Sequence, residues 1–417
     1  MIVVAIVVVA QLVGGMAELA VNMLAPSTAL TVLILIGLMA VWRLISMGDA
    51  MLTSGRGRAW RRPAPLATFA ALALVVVVGH AAAASLAWSF YRAGSEIFVA
   101  DRGPDRTPQP NASEPLGGFV ATPATTPETR ESRINFLLTG IDSSERRTHA
   151  LTDTLLVVSV DPETGKVAMV SFPRDIARFE LSNGKIFRGK INSLMTYAGN
   201  HPKEFPDGGL PTLVKELGHL LGIPIHYYAA VDLEGFAKMI DRVGGVTINN
   251  TTAINDPSYG GWTNGHPIGF KLSVGRHELD GQEALAFVRS RMGVNGSDFR
   301  RAHRQQQLLV ALQRKLMDPT MIPNLPGILS DAEGTIVTNF PVDRMSDMLA
   351  IGQRVDEDAI ERVVLNTPYS DRAPASESGG LYYLKLDMDK LAELSVKIFG
   401  DDSRYATTSG AAAPIAP

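Results

Sequence analysis

Three apolar stretches crowd the start of this chain, and they limit its architecture more than any later feature does. They run from Met1 to about Leu24, from Ala25 to about Ile45, and from Pro65 to about Phe90. A helix that crosses the hydrocarbon core needs roughly 20 apolar residues, so each is long enough. The second and third are the strongest, reading LTVLILIGLMAVW and LATFAALALVVVVGHAAAASLAW. The first carries Gln11, Glu18 and Asn22, which are costly in lipid, and is the weakest of the three. Pro26-Ser27 would turn a tight hairpin between the first two. Residues 1–92 therefore read as a membrane anchor of two or three transmembrane helices. Arg43, Arg56, Arg58, Arg61 and Arg62 all lie at or within the loop joining the second and third stretches, and no Lys or Arg precedes Arg43. The positive-inside rule assigns that loop to the cytoplasm, so the third span leads out and everything after it is extracellular. Trp88 and Tyr91 suit the aromatic belt at the outer interface. Without a basic n-region, a cleaved signal peptide is not expected.

Beyond the anchor, residues 93–133 are rich in Pro, Thr, Ala and Gly and read as an extended tether that lifts a soluble domain off the membrane. The domain itself spans 134–400, and 401–417 read as a flexible tail. Within the domain, INFLLTGID is a strand running into a loop, and TLLVVSVDPETGKVAMVSF is a hairpin turning at Asp161–Gly165. Leu213, Val214, Leu217, Leu220 and Leu221 recur at helical spacing. HYYAAVD is a strand, DLEGFAKMIDRV a helix and GGVTI a strand. Further helices are predicted near Asp298–Met317, Asp343–Val355 and Leu386–Phe399, with a strand at Ile360–Leu365. Alternating strands and helices predict an α/β fold, an α/β/α sandwich with a mixed central sheet covered on both faces. A net charge of −3 over 417 residues gives no global pull toward nucleic acid, and the absence of cysteine excludes disulfides and thiolate chemistry.

The densest chemistry lies in FVRSRMGVNGSDFRRAHRQQQ, residues 287–307, which holds five arginines against one carboxylate. Such an excess calls for an external anion, and guanidinium forks suit phosphate oxygens. If Phe287–Arg291 is extended, Arg289 and Arg291 share one face. In the helix that follows, Asp298, Arg301, Gln305 and Leu308 fall on one stripe, while Arg300 points elsewhere into solvent and Arg304 is unassigned. The bland alternative is a set of surface ion pairs worth about 0–1 kcal/mol each. Strand ends supply the counterparts. Asp142 closes the first strand, Asp153 opens the second, and Arg174 leaves the third behind Pro173. Carboxylates so placed suit a hard cation such as Mg²⁺ that keeps phosphate oxygens as ligands. No HxxxH or HExxH spacing and no GxSxG elbow is present, which argues against a histidine zinc site and a serine hydrolase.

Taken in order, FLLTGID, TDT (Thr152–Thr154), SFPRD (Ser171–Asp175), KINSLMTYAG, YYAAVDLEGFAKMIDRVGGV and LDGQEALAFVRSR with SDFRRAHRQQQ resemble the LytR-CpsA-Psr family of cell-wall glycopolymer ligases. The resemblance covers roughly Ile134 to Gln307. It implies a phosphotransferase that moves a glycopolymer, with its phosphate, from a polyprenyl diphosphate carrier onto peptidoglycan or a related wall polymer. Asp142 and Asp153 would be ligands of Mg²⁺ (or Mn²⁺). Arg174, Arg289, Arg291 and Arg301 would be the catalytic diphosphate clamp, with Asp298 orienting it and Gln305 as a neighbouring substrate contact. The family fold also implies an apolar tunnel for the lipid, with Leu155–Val160, Val167–Phe172 and Thr212–Leu221 as candidate walls. Membrane lipid, the polyprenyl-linked glycopolymer and the wall polymer would be the partners, with no nucleic acid. One departure stands out: Leu151 occupies a position where the family commonly has arginine. It motivates an alternative, a non-catalytic sensor that binds polyprenyl phosphate or glycan. Arg300, where many members have glycine, reads as neutral.

Overall fold

The computed structural model describes residues 15–53, 63–98, 133–142, 151–260, 262–263, 266–267, 269–290, 298–332 and 335–406. A six-stranded mixed sheet organises the domain. Its strands are β1 (Ile134–Asp142), β2 (Leu151–Val160), β3 (Val167–Ser171), β4 (Tyr227–Asp232), β5 (Ile336–Thr338) and β6 (Glu361–Val364). Their order is β5-β4-β1-β2-β3-β6, with β4 parallel to β1, β6 parallel to β3, and the remaining pairs antiparallel. The predicted hairpin is present. Asp161 accepts from the Glu163 and Thr164 amides, which closes the turn between β2 and β3.

The helices used below are α1 (Gly15–Asn22), α2 (Pro26–Thr53), α3 (Pro63–Ile97), α4 (Gly209–Leu221), α5 (Leu233–Arg242), α6 (Gly281–Arg289), α7 (Asp298–Leu316), α8 (Leu325–Ala332), α9 (Met345–Gly352) and α10 (Met388–Phe399). Side chains alternate across the pleat, so each face of the sheet has its own core. Leu137, Leu155, Val157 and Val170 pack with Leu213, Leu217, Leu220 and Leu221 of α4 and with Leu391 and Leu394 of α10. The opposite face sets Leu156, Met169 and Tyr227 against Val310 of α7 and Ile351 of α9. This is the mixed, two-sided arrangement the alternation predicted. A third cluster joins α5, α6 and α7 to the ribbon formed by Val246–Asn250 and Gly275–Leu279.

Three expectations about boundaries need correction. First, α3 does not stop at residue 92. It continues to Ile97, and Phe98 then forms a parallel bridge with Thr338 at the end of β5. Phe90, Ala93, Ile97 and Phe98 share an apolar cluster with Met239 of α5, Ala332 of α8 and Val342, so this end of the helix is docked on the domain. The turn between α1 and α2 joins the contact, because a Cβ on Gly94 would lie 1.9 Å from the Leu24 carbonyl oxygen. The remaining tether, 99–132, lies outside the described residues. Second, residues 401–406 are no free tail. The Arg404 amide donates to the Gly222 carbonyl, and the Tyr405 hydroxyl donates to that of Leu220. Third, the segment Phe287–Arg289 is helical, not extended. Asp280 and Glu283 form a reciprocal capping box, and buried Ala284, Leu285, Phe287 and Val288 carry α6 through to Arg289. Ser290, with ψ of 135°, ends it.

Two helices, Pro26–Thr53 and Leu66–Ile97, are long and apolar enough to cross a membrane, each with a hydropathy of 2.2. They fit a membrane anchor. The first apolar stretch is described only from Gly15, as the short α1.

Candidate functional site

The sheet builds its most chemical corner where β1 ends and β2 begins. Register is regular up to Gly140 opposite Thr154, then jumps so that Ile141 faces Thr152. Asp153 is the extra residue of this bulge and has no strand partner across from it. A bulge re-aims one side chain out of the ladder, and here that side chain is a carboxylate. Thr152, fully buried beside it, donates from its hydroxyl to the Asn192 carbonyl and pins the strand. Asp142 ends β1 opposite Leu151, two residues from Asp153 along the facing strand. The carboxylate of Asp142 and the side chain of Leu151 lie outside the described residues.

Arg174 meets Asp153 directly. Leaving β3 through Phe172-Pro173, it donates from Nη1 to Asp153 Oδ1 at 2.7 Å, with both side chains largely covered. Its Nε lies 3.8 Å from Asp175 Oδ2, and Asp175 Oδ1 accepts from Lys190 Nζ at 2.5 Å. Proline prevents further pairing at this strand end and sends the chain over the bulge. Two of the residues expected to act together are thus in contact.

The arginine segment is tied to the same end of the sheet by way of α7. Gln306, fully buried, donates to Ser171 Oγ at 2.9 Å and to the Val363 carbonyl at 3.0 Å, at the C-terminal ends of β3 and β6. Further along α7, Val310 packs with Val167 at the start of β3. The helix therefore runs antiparallel to β3. Stepping back from Gln306 to Arg301, about 7.5 Å along the axis, carries the first turn beyond Ser171 to the side where Arg174 emerges. Arg301 is buried there, with 5% exposure. Asp298 is the first residue of α7, although its side chain lies outside the described residues, as does all of Arg291. Arg289, half-buried at the C-terminus of α6, is close enough to Tyr259 to oppose the rise in that phenol's pKa, which burial causes. Gln305 is half-buried on α7.

Three residues of this region take roles the sequence left open or hid. Arg304 is structural. It donates to the Ser290 carbonyl, lies 5.6 Å from the centroid of Phe287, and so clamps the end of α6 onto α7. Ser290 Oγ in turn donates to Asp256 Oδ2 at 2.8 Å. Burial, assisted by repulsion from Arg301 and Arg300 and opposed by Asp256, lowers the Arg304 pKa to about 10. Gln306 and Gln307 were missed as individuals; Gln307 Nε2 ties α7 to the Asn249 carbonyl at 2.7 Å. The glutamine triplet was the only signal of these ties. The LDGQEA motif is also explained: a Cβ on Gly281 would lie 2.0 Å from the Ala237 carbonyl oxygen, so α5 and α6 can touch only at glycine.

Among the described residues no group of three or more histidine or acidic side chains gathers. A cation held here would take one or two carboxylates, and Asp153, with one oxygen on Arg174 and set beside the end of β1, fits that description. A cavity of about 770 Å³ lies elsewhere, between α4 and Asp401–Arg404; none of the predicted phosphate- or metal-binding residues lines it, whereas Val214 and Gly218 of the predicted tunnel wall do.

The family model described as the LytR_cpsA_psr family matches residues 108–399. The polyisoprenyl-teichoic acid–peptidoglycan teichoic acid transferase TagU of Bacillus licheniformis is 29% identical over 262 residues, which is 63% of this chain and 76% of that protein. TagU of Bacillus subtilis is 26% identical over 269 residues, 64% of this chain and 78% of that one. The crystal structure of B. subtilis TagV aligns with a TM-score of 0.50 at 24% identity, over 66% of this chain and 98% of that one, and the likeness concerns the fold alone.

Proposed function

We propose, from the premise that this chain belongs to the LytR-CpsA-Psr family, that it is a membrane-anchored phosphotransferase acting on a polyprenyl diphosphate-linked glycopolymer. The acceptor is peptidoglycan or a related wall polymer, and the domain works on the extracellular side. The observation that carries this reading is the bulged Asp153 held at 2.7 Å by Arg174 at the end of the sheet.

The chemistry requires no enzyme nucleophile. A hydroxyl oxygen of the acceptor attacks the phosphorus nearer the sugar. The bond from that phosphorus to the bridging oxygen breaks, polyprenyl phosphate leaves with the electron pair, and the hydroxyl proton passes to solvent water. Negative charge grows on the leaving phosphate, so fixed positive charge in a largely desolvated corner lowers the barrier. Arg174, largely covered in the turn after β3, and Arg301, buried on α7, would donate to the diphosphate, and Arg289 and Arg291 complete the proposed clamp. Asp298 orients it and Gln305 lies along the diphosphate. Asp142 and Asp153 would hold Mg²⁺ or Mn²⁺, which when bound neutralises diphosphate charge. The lipid is proposed to lie between the sheet and α4, where Leu155, Val157 and Val170 meet Leu213, Leu217 and Leu221 in one apolar cluster.

The test uses the full chain in lipid nanodiscs, a polyprenyl diphosphate-linked glycan and peptidoglycan. Mg²⁺-dependent release of polyprenyl phosphate with covalent attachment of glycan is the expected result. Tight retention of the lipid with no turnover would overturn the transferase reading in favour of a sensor.

A further inference from the structure

Next to the Asp153–Arg174 corner, two small ribbons carry a cationic, aromatic face that the transfer chemistry does not use. One ribbon pairs Ala177–Glu180 with Ile186–Lys190, and the other pairs Ser370–Arg372 with Leu384–Leu386. They are joined by a bridge between Ile176 and Leu384 and by the Leu384 amide donating to the Asp175 carbonyl at 2.9 Å. Asp175 is the link to the site, since its two oxygens face Arg174 and Lys190.

Arg178 sits in a bulge of the first ribbon with φ of 55°, and among the described residues it is the one non-glycine residue in the left-handed region. Residues bearing a Cβ rarely adopt that conformation, and where they do, functional sites are over-represented. The bulge holds the guanidinium 5.4 Å from the Tyr383 ring centroid. Tyr382, 46% exposed, is flanked by Arg372 at 5.5 Å and Lys190 at 5.9 Å, and Leu381 beside it is 74% exposed. Arg188 lies on the same exposed strand face as Lys190. Nearby carboxylates are already engaged: Glu377 by Lys385, and Asp371 by the Thr367 hydroxyl. Among the described residues, no carboxylate lies within ion-pairing distance of Arg178, Arg188 or Arg372.

We propose that this face is a binding subsite for an anionic glycan, holding the sugar chain as it extends from the reacting phosphate. Aromatic and apolar side chains pack against the C–H faces of sugar rings, while arginines take phosphate or carboxylate substituents. This rests on the transferase reading for its place in the reaction, but binding is tested without turnover. The glycan could come from the donor polymer or the acceptor strand. Two soluble probes separate these sources: a short poly(ribitol phosphate) oligomer and uncross-linked peptidoglycan strands. Both are titrated against the full chain in detergent.

Arg178→Gly is the informative variant, because glycine accepts the left-handed backbone and the side chain is removed without straining the bulge. Arg372→Gln and Tyr382→Ala remove the other contacts, with Tyr382→Phe as the ring-preserving control. Wild type should bind at least one probe, and Arg178→Gly, Arg372→Gln and Tyr382→Ala should each weaken it on the order of fivefold, with Tyr382→Phe close to wild type. Loss toward the polyol phosphate alone assigns the face to the donor, and loss toward the strands alone assigns it to the acceptor. Absence of wild-type binding to either probe, or binding unchanged within about twofold in all three variants, overturns the proposal. A chain that binds a probe yet transfers nothing would sink the transferase reading and leave the subsite standing.

Discussion

At the scale of single residues, the arginine segment divides into groups that the sequence shows as one run. Arg301 is buried in the first turn of α7, toward the Arg174 corner, while Arg304 is spent on the Ser290 carbonyl. Burial already depresses the Arg304 pKa to about 10, so its charge is poorly compensated, and an apolar replacement recovers desolvation energy. Arg304→Met should therefore change stability by less than about 1 kcal/mol, whereas Asp256→Ala should cost about 2 kcal/mol. That second change strips the Ser290 hydroxyl of its acceptor and removes the negative charge that favours the Arg304 cation. Urea unfolding of both variants in detergent checks the ranking. What the sequence could not reveal here is the bulge. TDT gives the residue types, but only the register shift beyond Gly140 shows why Asp153 leaves the ladder to meet Arg174. Leu151 belongs to the same strand end, opposite Asp142. Leu151→Arg should raise turnover several-fold if a phosphate contact is missing there; an unchanged rate in the nanodisc assay would show that nothing was lost.

At the scale of elements, strands and long helices were legible because periodicity sets them. The β2–β3 hairpin, α4, α5 and α10 sit where apolar spacing and turn residues placed them. Local pattern failed at Phe287–Arg289, where an alternating reading of FVRSR competed with a capping box that begins at Asp280, and the cooperative helix prevailed. It failed again at the C-terminus, whose docking depends on contacts far away in sequence. There Arg404 Nη1 lies 2.9 Å from His219 Nδ1, a hydrogen bond that requires an unprotonated ring nitrogen. Burial first, then Arg404, lowers the His219 pKa below its ordinary 6.5. The unfolded state thus binds the proton more tightly in this window, and the stabilisation is present above pH 6.5 and lost as pH falls through the folded value. Amide exchange of residues 403–406 should accelerate between pH 7.5 and 5 beyond the intrinsic rate change, and His219→Gln should flatten that excess.

At the scale of the whole molecule, the apolar helices and the domain pack together at the C-terminal end of α3. Composition of the tether suggested a spacer, but composition says nothing about where its ends attach. The Phe98 bridge to Thr338 and the Asn22 contact with Ser346 Oγ at 3.1 Å return the domain to the helices. The natural chain has no cysteine, so a double variant Asn22→Cys, Ser346→Cys has no competing thiol. It should form an intramolecular disulfide in native membranes on mild oxidation, and its absence would separate the domain from the anchor. On the proposed function, such docking would hold the Asp153–Arg174 corner at a set height above the bilayer, as a lipid-linked substrate requires. On the proposed function Asp153 and Arg174 act as one unit on the diphosphate, which a double-mutant cycle on polyprenyl phosphate release measures. Asp153→Asn and Arg174→Gln should each slow release by about 100-fold, with the double variant no slower than the worse single. Single variants that stay within about twofold of wild type would show that the pair takes no part in the transfer.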